Sequence, residues 1–157
     1  MPNPFYHTYY GAAVLTGAEP FLLDATASNR FMPQLTDAGS EALNRTALAY
    51  FCNPANPQGT TASLAELVAA LRLARQHNFI LAVDECYAEI YDQDPPPGAL
   101  MAAAQLAEEN PALSDPFANL LIFHSLSKRS SVPGLRSGFV AGDARLIELM
   151  RRAISYG

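Results

Sequence analysis

Phe79-Ile80-Leu81-Ala82-Val83-Asp84-Glu85-Cys86-Tyr87 is the stretch on which the fold turns. Its first five residues form a continuous apolar run of the kind carried by a strand covered on both faces, and acidic side chains begin where the run ends. Upstream, Ser63-Leu64-Ala65-Glu66 reads as a capping box, worth on the order of 1 kcal/mol. Leu64, Leu67, Val68, Leu71 and Ala74 then keep helical spacing as far as His77-Asn78. A capped helix therefore feeds a buried strand.

Working outward, residues 47–51 read as another strand that runs into Asn53-Pro54-Ala55-Asn56-Pro57-Gln58-Gly59, a loop whose residue types forbid helix and sheet alike. Before it, residues 4–17 read as an aromatic-rich helix stopped by Gly17, and residues 19–24 as a strand. Residues 25–45 form a polar connection with a weak helical pattern near 36–43. After Tyr91, residues 92–98 with Pro95-Pro96-Pro97 make an irregular excursion, followed by a modest helix over 100–109. Residues 120–123 and 139–141 read as strands, and Asp143 caps a closing helix carrying Leu146, Ile147, Leu149 and Met150. Strand and helix alternate, which predicts an α/β fold: a mostly parallel sheet with helices on both faces. Ligands of such sheets collect beyond the carboxyl ends of the strands.

At 157 residues the chain suits one domain, able to bury about 70% of its extended surface on folding. Half of it is hydrophobic and the mean hydropathy is +0.04, yet no apolar run is long enough to span a bilayer. No secretory signal pattern opens the sequence, so the expected compartment is the cytoplasm. The formal net charge of −5 is spread without runs, which argues against a nucleic-acid partner. Cys52 and Cys86 lack metal-ligand spacing and read as reduced, buried thiols; no metal site is expected.

Three segments follow strand ends: 53–59, 84–87, and Ser125-Leu126-Ser127-Lys128. A lone lysine among hydroxyls at the mouth of a sheet invites a chemical reading. With a free pKa near 10.4, only about one lysine in a thousand is neutral near pH 7.4, so an amine nucleophile needs its pKa lowered or its nitrogen held as an imine. An aldehyde cofactor does the latter. Asp84 is suited to hold a pyridine nitrogen protonated, Tyr87 and Asn56 to donate to a phenolic oxygen, and Ser125 with Arg136 to grip a phosphate dianion. Each residue also has a purely structural alternative. Asp84 could cap a helix, Arg136 could form a surface ion pair, Ser125 and Asn56 could satisfy loop backbone, and Tyr6 could be core. His7 and His124 read as packing or surface residues.

The motifs Asn53-Pro54-Ala55-Asn56-Pro57-Gln58-Gly59, Asp84-Glu85-Cys86-Tyr87, Ser125-Leu126-Ser127-Lys128 and Gly134-Leu135-Arg136-Ser137-Gly138-Phe139, in this order, resemble the central part of the large domain of fold-type I, class I/II aminotransferases dependent on pyridoxal 5'-phosphate. The resemblance implies Lys128 as the catalytic lysine that forms the imine and shuttles the proton. It also implies Asp84 as the ring-nitrogen partner, Asn56 and Tyr87 as ring-oxygen contacts, Ser125 and Arg136 as phosphate ligands, and Tyr6 as the aromatic residue stacked on the ring.

Residues Pro2 to Tyr6, the 95–98 excursion and the long run from His124 to Asp143 look most like the succinyldiaminopimelate aminotransferases of bacterial lysine synthesis. The implied reaction takes an amino group from an amino acid, glutamate by resemblance, to a keto acid such as N-succinyl-2-amino-6-ketopimelate. It implies small-molecule partners and a homodimer when full length.

By the same resemblance, residues 1–157 are the central part of the cofactor-binding large domain. An upstream glycine-rich turn, the dimer-partner tyrosine, the small C-terminal domain and its carboxylate-binding arginine would lie outside them. The chain alone is then expected to be poorly soluble and inactive as a transaminase. Three other readings stay open: another class I/II aminotransferase, a C–S lyase on the same fold, and a non-catalytic cofactor-binding domain of a regulator.

Overall fold

The computed structural model describes residues 1–156 and shows a four-stranded sheet. Its strands are β3 (Leu48–Cys52), β4 (Ile80–Asp84), β5 (Leu120–Ser125) and β6 (Gly138–Gly142), paired in that order. The first three are parallel and β6 is antiparallel to β5. The reversal follows from the link at 126–137, which holds only the four-residue helix α5 (Leu126–Arg129) and a 3-10 turn (Pro133–Leu135). A parallel return needs a longer crossover.

The two sheet faces are covered differently. Alternation along the strands sends Ala49, Phe51, Leu81, Val83, Leu120 and Ile122 into one core with helices α3 (Leu64–His77) and α4 (Ala99–Glu109). The helices contribute Leu67, Leu71 and Ala74 from α3 and Ala102, Ala103 and Leu106 from α4, all buried. Burying each such leucine contributes about 1.5–3 kcal/mol. Helix α1 (His7–Leu15) lies on the opposite face, where the ring of Tyr9 stacks on Tyr50 of β3 with centroids 4.3 Å apart and planes 9° from parallel.

The capping box expected at α3 is present in full. Ser63 Oγ accepts the Glu66 N–H at 3.3 Å, and Glu66 Oε2 accepts the Ser63 N–H at 2.8 Å. Asp143 likewise begins helix α6 (Ala144–Tyr156), its Oδ1 accepting the N–H groups of Arg145 and Leu146 and its Oδ2 that of Asn119.

The N-terminal segment departs from expectation. Helix α1 starts at His7 rather than near Pro4, because residues 2–3 extend as β1 (Pro2–Asn3), pairing in parallel with β2 (Leu23–Asp24). The Leu23 N–H to Met1 O bond at 3.0 Å and the Ala25 N–H to Asn3 O bond at 2.7 Å hold it so. The strand expected over 19–24 shrinks to two residues, since Pro20 lacks an N–H and β1 is itself short. The 25–45 connection condenses into two 3-10 turns, Ala27–Asn29 and Leu35–Ala38, and helix α2 (Gly39–Arg45).

Strand β6 approaches β5 so closely that a Cβ on Gly142, at φ +133°, would lie 2.1 Å from the Leu120 carbonyl oxygen. The glycine lets the antiparallel strand dock and so fixes the loop that carries Arg136. Both thiols are free, but only Cys52 is buried; Cys86 is half-buried because it sits in the turn after β4 rather than in the strand. Among the described residues no helix is long and apolar enough to cross a membrane, and no group of metal-ligating side chains is assembled.

Candidate active site

Register alone brings three of the expected segments together. Cys52 pairs with Asp84, and Asp84 with Phe123, so β3, β4 and β5 end side by side. The residues that follow them, 53–59, 84–87 and 125–128, therefore share one edge of the sheet. Alternation also puts Asp84 and Phe123 on the face that carries Tyr50 and α1; Ser125, two residues beyond Phe123, follows them there.

Asp84 is the most constrained side chain of the set. Its Oδ2 accepts a hydrogen bond from the Tyr9 hydroxyl and its Oδ1 one from the Cys86 N–H at 3.0 Å. Burial, with Cys52 and Asp84 nearby, pushes the Tyr9 phenol well above its ordinary pKa. Burial, then the Asp84 hydrogen bond, pushes the Cys86 thiol up to about 12, with Lys128 opposing. The environment around Asp84 thus keeps its neighbours protonated and neutral.

Tyr6, the expected stacking ring, is 40% exposed and lies edge-on to Tyr9, centroids 5.7 Å apart and planes at 84°. It is linked to Asp84 through Tyr9.

Ser125, Ser127 and Arg136 line an open cavity of about 230 Å³ with His124, Ser137 and Gly138. Ser125 caps α5, its Oγ accepting the Ser127 N–H at 3.1 Å, which leaves the hydroxyl proton free to be donated elsewhere. Arg136 is exposed, in the left-handed conformation, and spends one guanidinium N–H on the Pro133 carbonyl at 3.1 Å. Lys128, the single lysine of the sequence, places Nζ 5.8 Å from the ring centroid of Tyr87. The hydroxyl and guanidinium donors of this cavity are the chemistry a phosphate needs, and they lie one helical turn from the amine.

Asn56 is not tied into this group. Among the described residues its side chain makes no hydrogen bond to Asp84, Tyr87 or Lys128. What holds its loop is Asn53, 1% exposed. The Asn53 Oδ1 accepts the Ala62 N–H at 2.8 Å, and its Nδ2 donates to the Pro97 carbonyl at 2.9 Å. Gln58 ties the loop to the segment bearing Tyr6 by donating to the Pro4 carbonyl at 2.7 Å.

Sequence reasoning missed a second buried pair. Glu85, 4% exposed, accepts the Ala99 N–H at 2.6 Å through Oε1 and meets His124 Nε2 at 3.0 Å through Oε2. A carboxylate offers only lone pairs, so Nε2 carries the proton in this contact. His124 also stacks on Phe139, centroids 4.8 Å apart. The pair joins the ends of β4 and β5 on the face opposite Asp84 and Ser125. Its one sequence signal is an acidic residue two positions short of the turn's end, too common to mark a buried partner.

The aminotransferase class I and II family matches residues 1–156 of the chain. LL-diaminopimelate aminotransferase 2 of Trichormus variabilis is 31% identical over 151 residues, covering 94% of the chain and 35% of its own length. The crystal structure of aminotransferase AspB from Helicobacter pylori aligns with a TM-score of 0.88 at 46% identity, over 99% of the chain and 39% of that protein. An aminotransferase from Neisseria meningitidis aligns with a TM-score of 0.87 at 44% identity, over 99% of the chain and 38% of its own. The chain thus spans little more than a third of the length of these relatives.

Proposed function

This chain belongs to the class I and II aminotransferases, a pyridoxal-phosphate-dependent family, and from that premise we propose that it forms the central part of the cofactor-binding domain of an enzyme transferring an amino group from an amino acid to a keto acid. The observation that carries this is the convergence at one sheet edge of a carboxylate, a lone lysine and an open cavity lined by hydroxyl and guanidinium donors.

The residues fit the cofactor on the chemistry of their donors. Ser125 and Arg136 are the phosphate ligands, Asp84 the partner of the ring nitrogen, Tyr87 and Asn56 the contacts of the ring oxygen, Tyr6 the stacking ring and Lys128 the catalytic amine. Pyridoxal phosphate supplies an aldehyde to capture the amino group and a ring to accept the electron pair released at the substrate α-carbon. Asp84 would pair with the protonated ring nitrogen. Lys128 would be the amine that takes up and returns the proton of the substrate α-carbon. The Ser125 hydroxyl and the Arg136 guanidinium fork would hold the phosphate by charge-assisted hydrogen bonds.

For the substrates we favour glutamate as donor and a diaminopimelate-type keto acid as acceptor. The framing residues from His124 to Asp143 suggest the N-succinylated acceptor, whereas relatives such as that of T. variabilis carry the name of the free LL-diaminopimelate enzyme. The complete enzyme acts as a homodimer in the cytoplasm on this reading, and the 157 residues alone are inactive.

Glutamate-dependent amination of succinylated and free acceptors, measured in parallel, tests the assignment. Turnover of one acceptor at least a hundredfold above the other identifies it. Pyruvate release from a thioether amino acid, with no amination, would replace the transaminase by a C–S lyase.

A further inference from the structure

We propose that His124 is a positioning residue for the cofactor phosphate: bonded to the buried Glu85 carboxylate, it fixes the end of β5 from which Ser125 projects. The inference rests on the assignment of Ser125 as a phosphate ligand given above. The need for such a tie follows from the register. Strand β4 pairs with β5 only as far as Asp84 opposite Phe123, where the Glu85 N–H donates to the Phe123 carbonyl at 2.9 Å. Strand β5 runs on through His124 and Ser125, and among the described residues their ladder partners are Phe139 and Gly138 of β6 alone. Ser125 thus stands on an overhang with a sheet neighbour on one side only.

The His124 side chain supplies a hold on the other side. Its Nε2 meets Glu85 Oε2 at 3.0 Å, and Glu85 is itself anchored at the start of α4 by the Ala99 N–H, 2.6 Å from Oε1. Gly98 leaves room for that carboxylate, since a Cβ there would stand 3.3 Å from Oε2. The imidazole also stacks on Phe139, so one ring spans the ends of β4, β5 and β6. Stacking needs only a flat ring, which a phenylalanine would provide. The bond to Glu85 needs an N–H donor, and both partners are largely out of water, with side chains 16% and 5% exposed. Strand alternation puts His124 and Ser125 on opposite faces, so the bond acts on Ser125 through the backbone. Without it the overhang loses its hold on the β4 side, and Ser125 must be placed at the moment the phosphate arrives.

The test uses the complete enzyme, with pyridoxal phosphate and unphosphorylated pyridoxal as probes. Affinities are read by absorbance titration of the apo-protein for the parent, His124→Phe, Ser125→Ala and the double variant. His124→Phe should weaken pyridoxal phosphate binding about tenfold, the scale of one hydrogen bond to a charged group, and change pyridoxal binding less than about twofold. In the Ser125→Ala background the same substitution should change pyridoxal phosphate affinity less than about twofold, because the hydroxyl it places is gone. His124→Gln returns an N–H donor and should recover part of the loss. If His124→Phe does not fold, Glu85→Gln takes its place in the cycle, with the same split between the two probes.

Equal weakening of both probes, no weakening of either, or an undiminished effect in the Ser125→Ala background overturns the proposal. A parent protein that does not bind pyridoxal phosphate fails earlier and overturns the functional assignment instead.

Discussion

Replacing Glu85 by alanine probes how the ends of β4 and β5 are held together. The side chain is 4% exposed and accepts two donors, the Ala99 N–H at 2.6 Å and His124 Nε2 at 3.0 Å. Ala99 is 1% exposed, so its N–H has no ready access to water once the carboxylate is removed. An orphaned buried donor costs about 1–3 kcal/mol, and two of them, one partly relieved because His124 is less buried, give about 2–4 kcal/mol. For a chain of this size each kcal/mol lowers the melting temperature by about 2–4 °C, so Glu85→Ala should melt roughly 5–15 °C below the parent.

Glu85→Gln retains an acceptor for the Ala99 N–H and loses the charge that faces His124, so about half the effect should remain. The assay is thermal unfolding of the complete apo-protein followed by circular dichroism. An alanine variant within about 1 °C of the parent, or a glutamine variant as damaged as the alanine one, would refute the reasoning.

Asp143 offers a separate stability test. It is 1% exposed and accepts backbone N–H groups of Asn119, Arg145 and Leu146, and Asp143→Ala should cost about 2–3 kcal/mol in urea unfolding. Burial alone would raise its pKa, but the three N–H donors and the Arg145 guanidinium outweigh that and lower it. A carboxyl with a lowered folded pKa contributes stability above its unfolded value of 3.8, and that contribution fades as pH falls through the folded value. The parent should therefore lose stability below about pH 4 more steeply than Asp143→Ala does. At the phosphate end, Arg136→Ala should weaken pyridoxal phosphate binding about tenfold while leaving the affinity for unphosphorylated pyridoxal unchanged, both read by absorbance titration.

Much of the frame was legible because its signals are local. The Ser63–Glu66 capping box, the buried run that became β4 and the Asp143 cap each depend on residues a few positions apart, and each appears in the structure where the sequence puts it. The strand-end convergence of 53–59, 84–87 and 125–128 follows from parallel pairing, itself read from alternating elements. The N-terminal forty-five residues were less legible, since β1 and β2 are two-residue strands stabilised by each other and carry no pattern of their own.

The contacts that shape the site were hidden for a related reason. Tyr9 meets Asp84 across 75 positions and Glu85 meets His124 across 39. Nothing in the neighbourhood of either residue distinguishes a buried partner from an ordinary aromatic or acidic side chain. The sequence marks Asn53 only as part of a turn, and its role in tying that turn to Ala62 and Pro97 emerges only when the three are packed together.

On the proposed function, Lys128 is the residue to which pyridoxal phosphate becomes attached. The direct measurement is to load the complete enzyme with the cofactor, reduce it with borohydride, and locate the added pyridoxyl mass by peptide mass spectrometry. The expected result is a single modified site at Lys128, with no modification and no visible absorbance band in Lys128→Ala. Stoichiometric label on any other residue, or full amination activity in Lys128→Ala, would contradict the account.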